Sequence, residues 1–151
     1  MNPIVADLEN GLQRQKEDRE KRPQTTEQLS VFRAAANALY ILTRTVSMAP
    51  RKTMRFCDKA TADAAEMLKC ISLANILTGE DRIYYLQVAE ANAVTIRAYT
   101  KILQSLGAMS GKEANAFKKL MKSVTSQLAG WRAFTRESLK SEDNERAQTH
   151  P

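Results

Sequence analysis

The chain of 151 residues carries a formal net charge of +6, five glycines and four prolines, and is rich in Ala, Leu, Lys, Arg, Glu and Gln. This length builds one domain with its own core, and this vocabulary excludes sandwiches and barrels in favour of an all-α fold. The single histidine, His150, excludes a His/Cys zinc cluster, and no apolar run approaches the ~18 residues that span a bilayer, so a cytoplasmic protein without metal or cofactor is expected.

The chain opens with "MNPIVADLENGLQRQKEDREKRPQ". Ile4, Val5, Leu8 and Leu12 suit a short amphipathic helix, and a mixed-charge run follows to Pro23. Such a helix is marginal in water on its own, so residues 1–25 are expected to be a mobile arm.

Thr25 with Gln28 resembles a capping box, and Phe32, Ala35, Leu39, Leu42 and Val46 then recur at helical spacing. These predict a first helix over about 27–47. Ser47 and Pro50 suit the turn and start of a second, whose apolar line is Phe56, Ala60, Ala64, Met67, Ile71 and Ala74. Gly79 is expected to end it in a left-handed cap.

A third helix begins near Glu80–Asp81, acids that suit the positive end of a helix dipole. It is expected to bury Leu86, Ala89, Ala93, Ile96, Tyr99, Leu103 and Leu106 and to stop at Gly107. Ser110 with Glu113 forms a second capping box, and Ala114, Phe117, Met121, Val124, Leu128 and Trp131 mark a fourth helix. The polar "SEDNERAQTHP" of residues 141–151 is expected to be a disordered tail. Four helices joined by short turns predict an up-down-up-down antiparallel four-helix bundle over residues 26–140.

No nucleophile–base pair and no phosphate-cradling glycine loop is present, and the Glu-x-x-His motif of di-metal bundles is absent. Asp63 and Glu66, one turn apart, suit a solvated face. Cys57 and Cys70 lie about 20 Å apart along one helix, too far to bridge each other within a chain. They read as small buried hydrophobes, and the chain is expected not to be an enzyme.

The charge is uneven: residues 1–26 net zero, residues 27–140 net +8 and residues 141–151 net −2. Residues 97–140 hold nine Lys and Arg against only Glu113 and Glu137. Arg51, Lys52 and Arg55 crowd the start of the second helix, while Lys118, Lys119, Lys122, Arg132, Arg136 and Lys140 lie off the apolar line of the fourth. Most of the latter form a stripe along about 33 Å of helix, suited to sequence-independent, salt-dependent contact with RNA, DNA or another polyanion. A solvated surface, or an adaptor matched to an acidic protein, is the alternative.

"SMAPRK", "EMLKC", "TIRAYTKIL", "GAMSGKEANAF" and "QLAGW", in this order on successive helices, resemble the accessory variability determinant (Avd) proteins of diversity-generating retroelements. The resemblance runs from about Thr26 to Phe134, with Ala129 at the first small position before Gly130-Trp131. It implies a homopentamer of four-helix protomers that binds the element's reverse transcriptase and nucleic acid and supports mutagenic cDNA synthesis without catalysis of its own. Arg51, Lys52, Arg55, Lys118, Lys119, Lys122, Arg132 and Arg136 are then the contact candidates. The alternative kin, helical proteins encoded within ribosomal RNA intervening sequences, carry a "SNIAEG"-like segment that "ATADAAEMLKC" does not match.

Trp131 is expected to close one end of the core, Gly130 to admit a neighbouring helix or protomer, and Arg132 to point outward on the basic side.

Overall fold

The computed structural model describes residues 29–149; the expected arm and the Thr25–Gln28 cap lie outside the described residues. Among the described residues four α-helices are present: α1 (Ser30–Met48), α2 (Met54–Ile76), α3 (Gly79–Ser105) and α4 (Gly111–Thr149), with a 3-10 turn at Arg51–Thr53 before α2. No strand occurs among the described residues. Contacts run α1 to α2, α2 to α3, α3 to α4 and α4 back to α1, so each helix has two principal neighbours around one core.

That core is built where apolar residues recur every three or four positions. Ala60, Ala64, Met67, Ile71 and Ala74 of α2 are fully buried, as are Leu86, Ala89, Ala93, Ile96 and Leu103 of α3 and Met121, Val124 and Leu128 of α4. Burying each larger side chain contributes roughly 1.5–3 kcal/mol. The predicted line of α4 is present in full, with Phe117 buried and Ala114 and Trp131 at its partly buried ends.

In α1 the buried face is Val31, Ala35, Ala38, Leu42 and Thr45, turned slightly from the predicted one. Phe32 and Leu39 flank the core, half-buried, while Ala35 and Ala38 are the residues buried within it. Leu106, expected inside, is 41% exposed: it is the C-cap of α3 and already part of the turn.

The turns follow local chemistry. After α3, the amide of Gly107 donates to the Gln104 carbonyl and that of Ala108 to the Leu103 carbonyl. This Schellman closure needs a left-handed residue, and Gly107 supplies it at φ 76°. Gly79 is also left-handed at φ 62°, but it is the first residue of α3 rather than the cap of α2, which ends at Ile76 with an extended Leu77 as its C-cap; the Leu139 side chain packs 3.6 Å from where a Gly79 Cβ would stand. Pro50 precedes the 3-10 turn rather than beginning α2 itself, and the Thr53 hydroxyl donates to its carbonyl.

At the start of α4 the Glu113 amide donates to Ser110 Oγ at 3.2 Å, half of the predicted capping box. The other half is replaced: the Glu113 carboxylate accepts from the Thr45 hydroxyl at 3.2 Å. This bond ties the last turns of α1 to the first turn of α4.

Residues 141–149 are helical, where a disordered tail was expected. No proline or glycine lies between Gly130 and Thr149, and Glu, Lys, Arg, Gln and Ala sustain the helix. Every residue from Lys140 to Thr149 is exposed, so this extension adds nothing to the buried core of the described residues.

Candidate nucleic-acid interface

The seam between α3 and α4 contains a cleft of about 590 Å³. Its floor is apolar, with Phe117 and Met109 almost fully buried. The Schellman turn places Met109 there by folding the chain back from α3 towards the start of α4.

Arg97 and Lys101 of α3 and Lys118 of α4 line the cleft. Arg97 and Lys101 share a face of α3 because they stand four residues apart. No acidic residue occurs between Glu90 and Glu113, and Glu113 is engaged by Thr45. None of the three cations has a salt bridge; the two among the described residues are Arg132–Glu90 and Lys140–Glu137.

The predicted candidates fall into distinct settings. Lys118, Lys119 and Lys122 are exposed on the first half of α4. Arg51 and Lys52 in the 3-10 turn and Arg55 in the first turn of α2 are also exposed. The Thr45–Glu113 bond brings the end of α1 beside the start of α4, so the turn that follows α1 lies at the same end of the molecule as the cleft. These six, with Arg97 and Lys101, concentrate positive charge at that end.

Arg132 does not belong with them. Its Nε donates to Glu90 Oε2 at 2.8 Å and one terminal nitrogen to Oε1 at 3.3 Å, a two-pronged pair across the α3–α4 seam. The side chains are 28% and 23% exposed, so the guanidinium is turned inward against α3 rather than outward as expected.

Arg136 is exposed, and Lys140 pairs loosely with Glu137 at 3.5 Å on the surface. The predicted basic stripe is therefore interrupted: no charge lies between Lys122 and Arg132, and acids accompany its far end.

The tryptophan region is built around Arg82. Its guanidinium carbon sits 5.4 Å from the Trp131 ring centroid, and its Nε donates to the Ala74 carbonyl at 2.8 Å. One side chain thus caps the end of α2 and covers a ring of α4 by a cation–π contact. Trp131 packs against the core as expected. Gly130 is exposed, and none of the described residues lies within 4 Å of a Cβ built there, so it admits no close helix among them.

Sequence reasoning missed Arg97 and Lys101 as candidates. The available signal was their i, i+4 spacing inside a stretch free of acids.

Cys57 and Cys70 are buried and free. Burial pushes both thiols above their ordinary value of 9.0; Asp58 adds to the rise at Cys57 and Glu66 at Cys70. The fold therefore favours the protonated thiols, a contribution present below pH about 9 and lost as pH rises through the raised native values. Slow reaction with a disulfide reagent until unfolding, and loss of this contribution to stability above pH about 9, are the expected results; rapid labelling at neutral pH would contradict them.

No group of three or more His, Cys, Asp or Glu among the described residues is placed to hold a metal. No helix among them is long and apolar enough to cross a membrane. Neither a protein-family model nor a curated protein sequence matches the chain.

Proposed function

We propose that the protein is a non-enzymatic, nucleic-acid-binding accessory subunit of the Avd type, acting in the cytoplasm beside a reverse transcriptase in mutagenic cDNA synthesis. The observation that carries the binding half is the concentration of unpaired cations at one end of the molecule: Arg97, Lys101 and Lys118 around the cleft, with Lys119, Lys122, Arg51, Lys52 and Arg55 nearby. Cations without acidic partners keep their full charge for phosphate, and binding of this kind reads charge rather than sequence. The polymerase half rests on the Avd-like motifs.

In this reading the helices run up-down-up-down. The short connections support it, as do pairings that match an antiparallel α2–α3: Ala74 with Arg82 near the turn and Asp63 with Thr95 further along. The protomers assemble as a homopentamer, for which the exposed small residues Ala62, Ala65, Ala129 and Gly130 leave room.

Binding of single-stranded RNA, DNA and hybrid duplex, titrated with salt, tests the central part. The expected result is affinity for all three that falls steeply with salt, with log K linear in log salt. Absence of affinity at low salt overturns the nucleic-acid reading, and failure to associate with the reverse transcriptase of a neighbouring gene overturns the accessory-subunit reading.

A further inference from the structure

The α3–α4 cleft has an apolar side that phosphate contact leaves unused. Val94 is 66% exposed at its edge, beside Ala98 and above Phe117 and Met109, while Arg97, Lys101 and Lys118 supply the charge. An occupant suited to both features needs apolar side chains for the floor and carboxylates for the cations.

The first twelve residues of the chain have that chemistry. Ile4, Leu8 and Leu12 recur at every fourth position with Val5 beside them, Asp7 and Glu9 provide two acids, and no Lys or Arg is present. We propose that residues 3–12 dock as an amphipathic helix in the α3–α4 cleft of their own chain, a helix-in-groove contact closed by carboxylate–cation pairs.

The dimensions agree. Ile4 to Leu12 covers about 12 Å of helix, and the cleft follows α3 from Val94 to Gln104, about 15 Å. The tether, residues 13–28, reaches at most about 53 Å when extended. It must travel the length of α1, about 29 Å, and the width of one helix, about 10 Å. Its segment from Arg14 to Arg22 is mixed in charge and has no apolar residue, as suits a linker. Tethering at this length raises the effective concentration to the millimolar range, which offsets the weak intrinsic affinity of so short a helix.

Docking neutralises the cations of the cleft, so the segment competes with any polyanion for the same groups. The proposal does not depend on the nucleic-acid reading, because the floor and the acids carry it.

A fluorescent peptide of residues 1–13, titrated into the full chain and into a chain lacking residues 2–12, tests it. The peptide is expected to bind the shortened chain at least tenfold more tightly than the full chain, in which the tethered copy already fills the cleft. Lys101→Glu with Lys118→Glu in the shortened chain, checked for unchanged helix content, is expected to weaken binding at least tenfold. A peptide carrying Leu8→Ser and Leu12→Ser is expected not to bind.

Equal binding to both chains, no binding to the shortened chain, or indifference to the lysine reversals overturns the proposal. A full chain that self-associates at the assay concentration and becomes monomeric on loss of residues 2–12 overturns the own-chain assignment in favour of a neighbouring copy. Loss of RNA binding in both chains, with the peptide result intact, counts against the proposed function alone.

Discussion

The two ends of the α3–α4 seam carry the same kinds of side chain and use them differently. At one end Arg132 reaches across to Glu90 with two hydrogen bonds, and Arg82 lies over Trp131 while capping α2. At the other, Arg97, Lys101 and Lys118 surround an apolar cleft and form no salt bridge among the described residues. Positive charge near one seam is therefore two things: structural where a carboxylate is built opposite, and available where none is.

The largest expected effect separates the floor of the open end from the closed end. Phe117→Ala removes a ring that is 2% exposed and is expected to cost ~3–5 kcal/mol of stability. Trp131→Ala, at a half-buried ring, is expected to cost less. Urea unfolding of the two variants checks this, and a larger loss at Trp131 would invert the comparison.

Arg132→Gln is expected to cost about 1 kcal/mol, since the pair is partly solvent-screened but two-pronged. The loss is expected to shrink when Glu90→Gln is already present, because the interaction is shared. Additive losses in the double-mutant cycle would deny the pair.

The smallest effect concerns Gly130. Open space surrounds it, so Gly130→Ala is expected to stabilise the monomer by roughly 0.5–1 kcal/mol through helix propensity. Destabilisation, together with a loss of oligomer, would show that a partner protomer occupies that space.

The fourth helix was legible in the sequence because its apolar residues are large and regularly spaced, from Phe117 through Leu128. The first was legible as a helix but not in its rotation. Phe32 and Leu39 outweigh Ala38 by hydrophobicity, yet it is the small residue that is buried, at 1% exposed.

The exposed cations were legible singly. Their grouping was not, because Arg97 and Lys101 reach Lys118 only after the chain turns through Gly107. The pairing of Arg132 was hidden for the same reason: its partner Glu90 stands on another helix, 42 residues away. The helical extension past Lys140 escaped a reading by apolar pattern, since propensity alone sustains it there.

The salt dependence of RNA binding tests the division of the seam most directly. In a chain lacking residues 2–12, whose cleft is open, Arg97→Gln, Lys101→Gln and Lys118→Gln together are expected to reduce the slope of log K against log salt by about 2, near 0.7 for each single-strand phosphate that is no longer neutralised. Arg132→Gln is expected to leave that slope unchanged. A slope reduced by Arg132→Gln, or untouched by the triple replacement, would contradict the assignment of structural charge to one end and available charge to the other.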